Sequence, residues 1–86
     1  MLLQAFTIRD QAGEFYNPPF FAKTKQEAVR SFTRIKNDPQ STINQFPQHF
    51  DLYEIGTFDD SDGKMVTFDT PQHIIAANNL TAPETV

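Results

Sequence analysis

Tyr16, Phe20 and Phe21 stand within a few residues of Lys23, Lys25, Arg30, Arg34 and Lys36. Rings beside cations are the chemistry of a single-stranded nucleic-acid groove, where bases stack on the rings and the cations hold phosphates. The same stretch has a plainer use. Phe20 and Phe21, directly before a helix start, can plug the core as a hydrophobic staple does. A core this small needs both rings, so the phenylalanines are expected to face inward. Arg30 and Arg34 are then a solvated helix face, set apart from the acidic half of the chain and open to a partner.

Other residues that could do chemistry fall short of a working set. Asp60, Asp62, Gly63 and Asp69 match part of a calcium loop, but Phe58 would occupy the first ligand position. Apolar strand patterns on both sides fit a hairpin better, so no metal is expected. His49 and His73 each stand alone, and without cysteine they cannot build a four-ligand zinc site. Ser31, Ser41 and Ser61 lack a nucleophile elbow, and three glycines cannot supply a phosphate-cradling loop. Asn79-Leu80-Thr81 matches a glycosylation sequon, a coincidence where no secretory signal is read. No enzyme, catalytic residue or cofactor is expected.

The elements that must carry these residues can be read from spacing. Leu2, Phe6 and Ile8 fall on one side of a strand over residues 2–9. Gly13 and Asn17-Pro18-Pro19 follow as breakers and predict a stiff loop leading away from that strand. Thr24-Lys25-Gln26-Glu27 has the form of a capping box. It opens a helix over about residues 25–37, with Ala28, Val29, Phe32 and Ile35 as its apolar stripe. Arg30 and Arg34 lie one turn apart on a different face, in a row with Lys23 and Glu27. Asn37-Asp38-Pro39 stops it.

Residues 40–50 are polar, with Ile43 and Phe46 as anchors, a helical turn after Ser41 and Pro47 to close it. Residues 50–58 read as a second strand, with Phe50, Leu52 and Phe58 on one face and Tyr53 and Ile55 on the other. Asp59 to Gly63 make a turn, and residues 64–68 return as a third strand. Thr70-Pro71 has the look of a cap and first residue of a short helix carrying His73, Ile74, Ile75 and Ala77. The expected fold is α+β: an antiparallel sheet of about three strands with one main helix packed on it, in the order β-α-β-β-α. Residues 1–80 form one domain and 81–86 a flexible tail. Three strands under one helix leave edges and a face open, so a homo-oligomer is within reach.

Composition bounds the function. A chain of 86 residues has room for a single core. Without cysteine it has neither disulfides nor thiolate metal sites, which points to an intracellular protein. Its apolar runs are too short to span a membrane, and the N-terminus reads as a strand, not a signal peptide. Residues 1–36 hold six basic groups against three acids, and residues 37–86 hold eight acids against Lys64. A basic patch on an acidic body favours a protein partner, self-association or a narrow nucleic-acid contact over coating of a duplex.

Three runs, "YNPPFFAKTKQEAVRSF", "NDPQSTINQFPQHFDLYEIGTFDDSDGKM" and "DTPQHII", carry a family resemblance. In order and spacing the chain resembles the small non-structural protein of gokushovirus-type microviruses, which are single-stranded DNA phages, over about residues 3–79. The resemblance implies a protein of the infected bacterium's cytoplasm, absent from the virion, that acts in viral DNA synthesis. By analogy with a microvirus protein that switches replication from duplex to single-stranded genomes, it implies viral or host replication proteins as partners. It brings no catalytic residues. The reading that follows is an accessory factor binding replication proteins, and single-stranded DNA in a narrower contact, through Lys23, Lys25, Arg30, Arg34, Lys36 and Tyr16. The alternatives are direct single-stranded DNA binding through Tyr16, Phe20 and Phe21, and a non-enzymatic oligomeric assembly factor.

Overall fold

A computed structural model describes residues 1–80. The tail expected over 81–86 lies outside the described residues. Strand β1 (Leu2–Asp10) alternates as its sequence requires, with Phe6 and Ile8 to one side and Ala5 and Thr7 to the other. All four are buried, so the middle of this strand is covered on both faces.

The segment after β1 corrects the expectation of a loop leading away. It folds back as β2 (Phe15–Tyr16) and β3 (Phe20–Ala22), both antiparallel to β1. The Asn17 backbone N–H and its side-chain amide each donate to the Ile8 carbonyl oxygen at 2.9 Å. Pro18 and Pro19 fall between the two short strands, on a sheet edge where a missing N–H breaks no ladder.

Helix α1 (Lys25–Asn37) has the expected bounds. The Thr24 hydroxyl accepts from the Glu27 N–H at 3.1 Å, and the Glu27 carboxylate reaches back to the Lys23 N–H, also at 3.1 Å. Ala28 and Phe32 are buried and Val29 packs beside them, but Ile35 is largely exposed. Asp38 turns extended before Pro39 and ends the helix. Ser41 then caps a single turn, α2 (Thr42–Gln45), which buries Ile43. Phe46 stays exposed and stacks on the His49 ring.

Strand β4 (Phe50–Asp59) pairs with β1 along its whole length. The turn after it is the expected hairpin. Asp59 accepts from the Ser61 hydroxyl at 2.6 Å, and Gly63 N–H closes on the Asp59 carbonyl oxygen at 2.8 Å. The returning strand β5 runs from Lys64 to Ala76 and overturns the expected second helix. His73 pairs with Tyr53 and Ile75 with Leu52, so Thr70-Pro71 sits inside a strand. Ladder bonds to β4 and two adjacent β-branched isoleucines outweigh a cap signal with little helix behind it. Only a 3₁₀ turn over Ala77–Asn79 remains at the end.

The result is an α+β fold whose antiparallel sheet runs β2-β1-β4-β5, with β3 beside β2 on β1. It has five strands in place of three, in the order β-β-β-α-α-β-β. Phe6, Ile8, Phe50 and Leu52 meet Ala28, Phe32, Ile43 and Ala77 on the covered face.

A bulge at Ile55 reorganises the other face. Ala5 pairs with Gly56 but Phe6 with Glu54, so Ile55 is left over. One extra residue flips every side chain beyond it. Phe58 therefore leaves the side of Phe50 and Leu52 where alternation placed it. It pairs with Leu3 on the side of Ala5, Thr7 and Tyr53. Gly56 is required here: a Cβ would lie 2.1 Å from the Val66 carbonyl oxygen.

Candidate partner-binding site

The strong cap and the buried stripe fix the roll of α1, and this roll decides where its cations point. Arg30 and Arg34 are exposed, one turn apart. Among the described residues neither forms an ion pair; the pairs there are Met1 with Asp59 and Asp60, and His73 with Asp51. Together with Glu27, Ser31, Phe21 and Ala22 they line an open cleft of about 290 Å³. Its second wall is β3, which pairs with β1 on one side and has no strand partner on the other among the described residues. Two guanidiniums stand against the single Glu27 carboxylate, which accepts from the Lys23 N–H, so the cleft is net positive. Such an arrangement holds carboxylate or phosphate oxygens on rigid donor forks while an extended chain lies along the strand edge.

The remaining cations frame the cleft only loosely. Lys23 and Lys25 are exposed at the helix start, and Lys36 is half-buried in the last turn. Phe20 turns inward as expected and meets the Phe6 ring at 5.8 Å. Phe21 does not. It is 41% exposed, pairs with Ala5 on the uncovered face and packs on Phe58 at 5.2 Å. Tyr16, 43% exposed, shares that uncovered face, so the structure separates it from the cations of α1.

Tyr16 instead joins a group the sequence did not reveal. The Arg9 guanidinium lies over its ring, 5.1 Å from the centroid. Tyr16 meets Tyr53 edge to face at 5.6 Å, and Tyr53 meets His73 likewise at 5.2 Å. Below them Asp51 is only 4% exposed; Gln11 Nε2 donates to Oδ2, and His73 Nε2 stands 3.2 Å from Oδ1. Burial, and next the Asp51 charge, raise the Tyr53 phenol above its ordinary value. The Thr7 hydroxyl on this face donates to the Asn17 carbonyl oxygen at 2.6 Å. Period-two alternation in "FDLYEIG" signals Asp51 and Tyr53, but Arg9 meets Tyr16 only because β2 folds back, and His73 arrives only because β5 continues.

Among the described residues no cluster of His, Asp or Glu stands ready for a metal, and no helix is long and apolar enough to cross a membrane. A family model described as "Phage ORF5 protein" matches residues 3–80. No curated protein and no solved structure matches the chain.

Proposed function

The chain belongs to the Phage ORF5 protein family, and on that premise we propose that it is a non-enzymatic accessory factor of viral single-stranded DNA synthesis that binds an acidic segment of a replication protein. The narrower resemblance to the small non-structural protein of gokushovirus-type microviruses supports this reading, and with it we propose the host cytoplasm, outside the virion, as its place of work. The observation that carries it is the Arg30–Arg34 row, which has no ion-pair partner among the described residues and faces an edge of β3 that none of them pairs with. An acidic, extended partner segment satisfies both walls of the cleft at once: carboxylates on the guanidinium forks, backbone on the strand edge. A second reading, direct single-stranded DNA binding, draws on exposed Tyr16 and Phe21, with Arg9 over the Tyr16 ring. The helix cations Lys25, Arg30, Arg34 and Lys36 lie on the other layer from Tyr16, and Arg9 is already seated over the Tyr16 ring, which favours the protein partner.

The test uses labelled probes: a Glu/Val-alternating peptide and an oligothymidine, each titrated at low and physiological salt. The wild type is expected to bind the peptide, and Arg30→Ala/Arg34→Ala to weaken that binding tenfold or more, at about 0.5–1 kcal/mol or better for each charge-assisted contact. Oligothymidine binding that is tighter than the peptide's, with a salt slope reduced in the double variant, would hand the role to DNA. Equal behaviour of wild type and variant toward both probes removes the site. In infected cells the double variant is expected to accumulate duplex genomes at the expense of single-stranded ones.

A further inference from the structure

From the face of the sheet that α1 leaves uncovered we infer a docking surface for a second copy of this chain. The face carries Leu3, Phe21, Tyr16, Tyr53, Phe58 and Met65, brought together by the strand registers and the Ile55 bulge. None of them belongs to the core under the helix. Phe21 and Met65 are each 41% exposed on this face, and the two together with half-buried Leu3, Tyr53 and Phe58 make a contiguous apolar patch.

Two observations select a second copy as the occupant. The first is charge. In the paired parts of the strands this face holds one cation, Arg9, already seated over Tyr16, and one carboxylate, Asp51, already bonded to Gln11 and His73. The cations of α1 lie on the opposite layer, and Asp59, Asp60 and Asp62 lie in or beside the hairpin turn. A nucleic acid would find no free cation here. A chain of net charge −4 meets its own copy without opposed like charges only through such a neutral face. The second is area. Four strand positions about 4.8 Å apart, each about 30 Å long, present roughly 600 Å² per copy. A pair then buries about 1,200 Å², the lower bound of a stable, specific interface. Two such faces pack as an aligned sandwich about a two-fold axis, with rings from both copies interdigitating.

Sedimentation equilibrium of the full chain tests this, with Phe21→Glu and Met65→Glu as variants and Arg30→Ala/Arg34→Ala as a control away from the face. The wild type is expected as a dimer of about 20 kDa, from a chain of 9.8 kDa, at tens of micromolar. Each glutamate enters the contact twice through the symmetry and is expected to raise the dimer dissociation constant roughly a hundredfold. The control is expected to remain dimeric, which separates failure of this inference from failure of the Arg30–Arg34 cleft. Circular dichroism identifies any variant that does not fold, and the wild-type concentration series stands without the variants. A wild type that stays monomeric at several hundred micromolar, or dimers that persist in both folded glutamate variants, overturns the inference.

Discussion

At the scale of single residues, Tyr53 is the most informative side chain. It touches Tyr16 on one side and His73 on the other, with the Asp51 carboxylate beneath. Its phenol is raised above the ordinary value near 10. The folded state thus holds the phenolic proton more tightly than the unfolded chain. The associated stability is fully present below the unfolded value and is lost as pH rises through the raised folded one. Urea midpoints of the wild type should therefore fall as pH rises above about 10, and Tyr53→Phe should flatten that fall. Identical alkaline profiles for the two proteins would contradict the environment assigned to Tyr53. Residue-scale legibility followed the range of the interaction. Thr24 and Glu27 could be read as a cap because both bonds stay within four residues. The Arg9–Tyr16 and Asp51–His73 contacts depend on strand registers that no local pattern states.

At the scale of elements, what the sequence left illegible comes from strand pairing. Prolines at 18 and 19 were read as carrying the chain away, but they sit at an edge where they cost no hydrogen bond. Thr70-Pro71 has the local form of a helix start, but Gln72, His73, Ile75 and Ala76 find partners on β4. In both places a punctuation signal was true locally and was overridden by a long-range ladder. The bulge at Ile55 is a third such case, because "FDLYEIGTF" alternates without a visible interruption. Gly56 beside it tests the register. Gly56→Ala forces a methyl group into the Val66 carbonyl oxygen and should cost about 2 kcal/mol or more in denaturant unfolding. A neutral outcome would mean that β4 and β5 approach each other less closely than described. The short edge strands, the prolines and the bulged stretch Phe68–Pro71 of β5 also protect the sheet from edge-to-edge growth.

At the scale of the whole molecule, a two-layer fold of 86 residues rests on few large side chains. Phe6, Phe32 and Leu52 are the largest fully buried ones. A chain of this size has about 4–13 kcal/mol of stability in total. Phe32→Ala should remove about 3–5 kcal/mol of that and lower the melting temperature by tens of degrees, read by calorimetry. A small shift would place the core elsewhere. The class of fold, the main helix and the hairpin were legible because they rest on periodicity and caps. Of the candidate site, Arg30 and Arg34 could be read from their spacing on α1. The cleft they share with β3 could not, since it needs the edge strand that the prolines concealed.

The helix layer and the bare aromatic face lie on opposite sides of a slab only 19 Å in its shortest dimension. When two slabs join through their aromatic faces, both arginine rows are left outward, one on each flank. Such a particle is bivalent. A target with two acidic tails in reach would be gripped through effective concentration, so that individually weak contacts add up to a long residence, and a single tail would be released readily.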